Sequence, residues 1–350
     1  MGLRHNQVLD ASASLAPVSL RVRLAAMRQG MALAGLRDYP DRSQAALRSA
    51  IARLHGIDPD WILPGNGAAE LFTWAARDAA AAGQSAVPAP GFGDYSRALR
   101  NWQGDAVPWV LPLDHFAAAA QPLPAPPSAA VLWITNPHNP TGQLWTRASL
   151  QPLLAAHRLV ICDEAFLPLV SGGEEHSLIP LLAEHPNLVV IRSLTKLYGL
   201  AGLRLGYALA VPERLRRWGE GRDPWPVNGL AVDLGLQLLR TPGRYHRHCA
   251  WVQRWSMREG AWLRRGLAAL AGSAGVLEAL PSAANFFLLR ASGSLLPLRE
   301  ALLRRHAIVL RDCRSFAGLD ARWLRIGVQS QRDNRRLLRA MTQEISLMSP

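Results

Sequence analysis

The stretch NLVVIRSLTKLYGLAGLRLGY, Asn187 to Tyr207, joins an apolar run to a polar, glycine-rich turn. Leu188 to Ile191 are continuously apolar and mostly β-branched, the pattern of a strand buried on both faces of a parallel sheet. In such sheets ligands bind outside the carboxyl ends of the strands. Here that end carries Ser193, Lys196 and Arg204 among Gly199, Gly202 and Gly206. Lys196 is also the only lysine of the chain, since 39 Lys plus Arg less this one leaves 38 Arg. Arginine keeps its charge at any working pH. A desolvated lysine can lose its proton and act as a nucleophile or form a Schiff base. The count alone fits a solvated loop position equally well, so its neighbours must decide.

Working outward, apolar runs alternate with helix-period segments. AVPWVL, AVLWIT, RLVICD, NLVVIRS and LRLGYALAV read as strands, with GAAELFTWAARDAA and SLQPLLAAH as helices between several of them. That alternation predicts an α/β unit with a mostly parallel sheet flanked by helices. After about residue 240 the pattern changes. A long helical stretch, Gly243 to Leu270, leads into the shorter strands NFFLLR, AIVLR and WLRIGV and a final helix, a smaller α+β unit. The expected division is an N-terminal arm and helix over 1–35, a large domain over 36–240 and a small domain over 241–350. The Pro-rich Gln121 to Ala130 reads as a surface connection.

Composition narrows the classes. At 49% hydrophobic and 19% charged, the chain is globular rather than disordered. No apolar run reaches the roughly 18 to 20 residues of a membrane span, and the first residues lack a signal-peptide core. Cys162, Cys249 and Cys313 lie far apart with no C-x-x-C pair, which argues against a disulfide framework and for a reduced, cytoplasmic protein. The net charge of +13 is spread through RLRRW, WLRRGL, LLRRH and NRRLLRAM at helical spacing. These are solvated faces rather than a nucleic-acid stripe, and they leave steering of anionic substrates as the consequence of charge. His246, His248 and Cys249 lie in a charged helical stretch, so no metal site is expected.

Four segments carry chemistry. LPGNGAAELF places the N–H groups of Gly67 and Ala68 at a helix start, where a phosphate binds; without a third glycine the dinucleotide fingerprint is not met, and a simple turn fits as well. AVLWITNPHNPTG ends a strand in Asn136 and Asn139, either turn chemistry or a rigidly held amide donor. RLVICDEAF ends a buried strand in Asp163 and Glu164, and a carboxylate there needs a partner or a site rim. The fourth is the Ser193–Arg204 turn, whose Ser and Arg are phosphate ligands. Together they supply a phosphate cradle, a carboxylate for a ring nitrogen, an amide for a ring hydroxyl and an amine for an aldehyde. That set matches pyridoxal 5′-phosphate.

The ordered set GNG, PGFGDY, NPHNPTG, DEAF, SLTKLYGLAGLRLGY and LRIGV resembles the fold-type I pyridoxal-phosphate enzymes of the class I/II aminotransferase group, from about Asp10 to the C-terminus. The resemblance implies that Lys196 is the Schiff-base lysine and Asp163 the partner of the ring nitrogen. It gives Asn139 to the ring 3′-oxygen, Phe92 to the ring face, and Gly67, Ala68, Ser193 and Arg204 to the cofactor phosphate. Tyr39 in DYPD matches a tyrosine that reaches the neighbouring subunit's cofactor, which implies a homodimer. Arg325 in LRIGV matches an arginine that forks onto the substrate carboxylate, and Arg311 one that lies near a substrate phosphate. Phe166 stands where relatives often carry Tyr. Within the group, DEAF, PWPVNGLA, LDASASLAP and VLRDCRSFAGLDARWLRIGV are similar to the threonine-phosphate decarboxylases, with histidinol-phosphate aminotransferases as near relatives. The decarboxylase arm is longer there and carries His-Gly-Gly-Asn; this chain has only RHNQ, leaving His5 as the substrate-facing candidate. The expected partner is a small phosphorylated amino acid. From another class, a basic binding protein that keeps the fold without chemistry is the remaining alternative.

Overall fold

The computed structural model describes residues 8–30, 37–114, 116–274 and 277–348. Short β1 (Leu9–Asp10) precedes helices over Leu20–Gly30 and Ala45–His55. The large sheet contains β2 (Ile62–Asn66), β3 (Ser85–Ala89), β4 (Ala106–Val110), β5 (Val131–Thr135), β6 (Leu159–Asp163), β7 (Leu188–Ser193) and β8 (Leu205–Leu209). Their order across the sheet is β2-β8-β7-β6-β5-β3-β4. Every neighbouring pair is parallel except those made by β8, which runs against both β7 and β2. This is the mostly parallel α/β sheet that the alternation predicts. Strands β5 to β8 are buried throughout, as continuous apolar runs require, and Pro108 sits on edge strand β4, where no ladder N–H is needed.

Two strands fall outside the expected set, one of them in sequence that fits a turn. ILPGN is β2, where the ladder overrides Pro and Gly; SAVPA, which is not among the expected strands, is β3 with Pro88 inside it. The expected single strand AIVLR divides instead. β11 (Ile308–Val309) pairs in parallel with β1, while β12 (Arg311–Asp312) joins the second sheet. That sheet is antiparallel, ordered β12-β13-β10-β9, with β9 (Leu277–Ala279), β10 (Phe286–Ala291) and β13 (Trp323–Gly327). The 33-residue helix Pro242–Ala274 and the terminal helix Gln331–Met348 frame it. Gln121 to Ala130 is an irregular connection, as expected. Among the described residues no helix is long and apolar enough to cross a membrane.

Period-two alternation decides what each strand end presents. In β5, β6 and β7, Leu132, Ile134, Val160, Cys162, Leu188 and Val190 pack into one core layer, whereas Val131, Trp133, Leu159, Ile161, Val189 and Ile191 pack into the other. Extending the second series brings Thr135, Asp163 and Ser193 to one face, the face covered by helix Gly67–Ala82 and Tyr95. The first series ends instead in Arg192, on the opposite face. Thr135 and Asp163 are also register partners across β5 and β6.

Candidate active site

Asp163 is 6% exposed. The Tyr95 hydroxyl donates to its Oδ2 at 2.6 Å and the Ala165 N–H to its Oδ1 at 2.9 Å. Burial pushes its carboxyl up to about 6, against the opposing pull of those two donors and of the Lys196 charge. Lys196 follows β7 on the four-residue helix Leu194–Leu197. Its Nζ lies 5.8 Å from the Phe166 ring centre and has no hydrogen bond or ion pair among the described residues. Burial lowers the amine below the usual lysine range; the Arg325 and Arg204 charges add to this and Asp163 opposes it. The lone lysine is thus a half-buried, unpartnered amine beside an ionisable carboxyl.

The candidate phosphate cradle lies at the start of helix Gly67–Ala82. Gly67 has a left-handed φ of 72°, and a Cβ there would fall 2.4 Å from Arg204 Nη2, so the guanidinium rests against the helix start. Gly206 lets that start approach the sheet, since a Cβ there would meet Ala68 N and Arg192 O, both at 2.8 Å. Asn66, the cap residue, makes no side-chain bond to the first turn. The leading N–H groups, carrying the positive end of the helix dipole, are therefore not capped by the Asn66 side chain. Ser193 Oγ is 2.7 Å from Thr195 Oγ1, which places a second hydroxyl next to the expected one.

Asn136 and Asn139 have different roles. Asn136 closes a turn by exchanging two bonds with the Trp145 backbone, at 2.9 and 3.0 Å, the turn chemistry that Asn-Pro suggests. Asn139 is 7% exposed, and its Oδ1 accepts from Arg325 Nη1 at 2.5 Å, which leaves the amide nitrogen with no partner among the described residues. Phe92 is half-buried and meets Phe72 and Tyr95 edge-on. Phe166 is buried edge-on against Phe286.

Arg325 is 8% exposed and has no carboxylate partner among the described residues. Besides Asn139 it donates to Ser12 O at 3.0 Å, its Nε has no partner, and its guanidinium lies 4.9 Å from the Phe286 ring centre. Burial lowers it to about 10, with the Arg311 charge adding to the effect. Arg311 is its register partner across β12 and β13 and is held by Ser315 Oγ at 2.8 Å. Like charges directly opposite on one sheet face repel. The pair is therefore a candidate site for an anion, whose charge would offset that repulsion.

Other expected residues fall elsewhere. Tyr39 is 79% exposed and stacks on Trp225 at 4.3 Å, apart from this cluster. His5 lies outside the described residues. His248 stacks on Tyr198 and bonds Leu197 O, and Cys249 is buried in the core, so both serve packing. Among the described residues no group of three or more His, Cys, Asp or Glu is placed to hold a metal. Three groups go unnoticed in the sequence: Tyr95, Thr135 and Thr195. Tyr95 carries a signal, since it lies one helical turn beyond Phe92 in PGFGDY.

The Aminotransferase class I and II family matches residues 1–341. Threonine-phosphate decarboxylase of Salmonella typhimurium is 32% identical over 372 residues, covering 100% of this chain and 94% of that protein. Histidinol-phosphate aminotransferase of Symbiobacterium thermophilum is 34% identical over 320 residues, covering 89% of this chain and 83% of its own. Among solved structures, L-threonine-O-3-phosphate decarboxylase from Porphyromonas gingivalis aligns with a TM-score of 0.79 at 25% identity, covering 97% of this chain and 100% of that one.

Proposed function

The chain belongs to the aminotransferase class I and II family, and from that premise we propose that it is a pyridoxal 5′-phosphate decarboxylase acting on L-threonine O-3-phosphate. Cα of that substrate loses carbon dioxide and gains a proton, giving (R)-1-aminopropan-2-yl phosphate, a step that serves cobalamin biosynthesis. The groups present fit the cofactor: an unpartnered amine, a buried carboxyl, an amide nitrogen with no partner among the described residues and an uncapped helix N-terminus suit its aldehyde, ring nitrogen, ring oxygen and phosphate. When bound, it supplies an electron sink for the pair left at Cα when a bond there breaks.

The chain's own residues do the rest. Gly67 and Ala68 N–H groups, Ser193 and Arg204 would hold the phosphate, and Phe92 the ring face. Asp163 would hold a proton at the ring nitrogen, and Asn139 would donate to the ring 3′-oxygen. Phe166 offers no second hydroxyl there. Lys196, whose amine gives up its proton readily, is suited to passing one to Cα. Arg325 and Arg311 would bind the substrate's two anionic ends and fix which Cα bond stands perpendicular to the ring.

The observation that carries this reading is the opposed pair Arg325 and Arg311, with no carboxylate partner among the described residues, which suits a substrate bearing both a carboxylate and a phosphate. The aminotransferase reading keeps a place because the Symbiobacterium relative is 34% identical. Borohydride should fix the cofactor to Lys196. In a separate, unreduced sample, purified protein given threonine phosphate without a keto acid should release carbon dioxide. Turnover only after a keto acid is added selects the aminotransferase. We place the enzyme in the cytoplasm, in keeping with three free, buried cysteines. We also infer a homodimer in which the exposed Tyr39 serves the neighbouring subunit's phosphate cradle.

A further inference from the structure

We propose that Tyr95 is a positioning residue that acts through Asp163, fixing the carboxylate that meets the ring nitrogen. This rests on the reading of the site as a pyridoxal 5′-phosphate site. Tyr95 is fully buried, on the turn of helix after Phe92. An ionised carboxylate only accepts, so the 2.6 Å contact to Asp163 Oδ2 is donated by the tyrosine. Tyr95 Oη then has lone pairs left to accept from Thr135 Oγ1, 2.8 Å away. The direction of the chain is therefore Thr135 to Tyr95 to Asp163. With Ala165 N–H on Oδ1, each carboxylate oxygen has one fixed donor and one lone pair to spare for the site.

The ring cannot swing away. It stacks on Trp133 at 5.2 Å and meets Phe72 and Phe92 edge-on at 5.1 and 5.6 Å. One side chain thus braces both the carboxylate and the aromatic expected over the cofactor ring. Its hydrogen bond favours the ionised form of Asp163 and opposes the burial that favours the neutral one. A tyrosine kept only for packing would leave Asp163 unchanged when its hydroxyl is removed.

The test uses full-length wild type, Tyr95→Phe, Thr135→Val, Asp163→Asn and the Tyr95→Phe/Asp163→Asn double variant. First, the cofactor-free proteins are labelled with carboxyl-13C aspartate and titrated by NMR, the Asp163 signal being the one lost in Asp163→Asn. Tyr95→Phe should move the midpoint upward by about one to two pH units, the equivalent of a hydrogen bond to a charged group. Thr135→Val should move it the same way by less, and it decides the matter should Tyr95→Phe not fold. Second, pyridoxal 5′-phosphate affinity is measured near neutral pH. Tyr95→Phe should weaken it roughly tenfold or more, and should add nothing in the Asp163→Asn background. An unmoved midpoint, or an equal loss with and without Asp163, overturns the inference alone. Failure of wild type to bind the cofactor overturns the functional reading and this inference with it.

Discussion

Replacing Arg192 with Met should be among the most costly single changes in the large sheet. Arg192 is 1% exposed and faces the side of the sheet away from Asp163. Its Nε donates to Glu164 at 2.8 Å, and its two Nη atoms reach Glu174 at 2.7 and 2.9 Å and Ser177 at 3.0 Å. Glu164 is fully buried and also accepts from Ser177 Oγ and Leu178 N, both at 2.8 Å. Without the guanidinium, Glu164 is a buried carboxylate with no counter-ion. Breaking such a pair costs about 3–5 kcal/mol, out of a total stability on the order of 5–15 kcal/mol. Glu174→Gln should cost far less, about 1 kcal/mol or below, since that side chain is half exposed. Removing both buried charges, in Arg192→Met/Glu164→Gln, should recover most of the loss. The pH dependence has a definite sign. Burial already raises Glu164 and Arg192 lowers it, so the variant's Glu164 sits further above its unfolded value. Its penalty is then full at high pH and shrinks as pH falls through that raised value. Urea unfolding of the cofactor-free protein across pH reads all three variants. A loss below about 1 kcal/mol for Arg192→Met, or a double variant no better than the single, refutes the reasoning.

Arg325→Lys should cut kcat/KM roughly tenfold to a hundredfold, because the forked donor to an anion becomes a point charge; the Asn139 contact makes the loss visible as a rise in KM. Gly67→Ala should weaken cofactor binding and lower stability by about 1 kcal/mol or more, since an L-residue at φ 72° is strained and its methyl meets Arg204; melting and cofactor titration together check it. Cofactor binding to the cofactor-free protein should weaken as pH drops below about 6, where Asp163 takes up its proton, and an affinity flat to pH 4 would sink that assignment. The same shift predicts a trade-off: a carboxyl raised in the folded state weakens the fold above its unfolded value, so Asp163→Asn should be inactive yet more resistant to urea at pH 8 by on the order of 1–3 kcal/mol.

The chemistry was legible where it coincides with a strand end. Asp163, Ser193 and Asn139 follow continuous apolar runs, and period-two alternation alone puts Asp163 and Ser193 on one face. Lys196 stood out because a permanent charge replaced lysine everywhere else. What stayed hidden depends on tertiary pairing. ILPGN fits a turn because Pro and Gly are penalised locally, yet the sheet recruits it as β2, and it takes SAVPA, with Pro88 inside, as β3. The contact between Arg325 and Asn139 spans 186 residues of sequence separation, which no local pattern encodes. Tyr95 was concealed by its neighbour, since Phe92 accounts for PGFGDY on its own. The split of AIVLR into β11 and β12 likewise needs β1 as a partner from the other end of the chain.

That partnership sets an order of assembly. Leu9 and Asp10 pair with Ile308 and Val309, Ala11 bonds both Val309 and Gly327, and Ser12 O accepts from Arg325. A few residues later, Ala16 N–H donates to Lys196 O. On the ribosome the earliest of these residues emerge first and find their mates last. The large sheet can close while the leading segment still waits, because domains fold as the chain appears. Arg325, the expected carboxylate ligand, meets its backbone acceptor Ser12 O only once β13 has been made. A nascent chain that stops short of β11 would therefore carry Lys196 and the expected phosphate cradle but lack Arg311 and Arg325, the expected acid-binding pair.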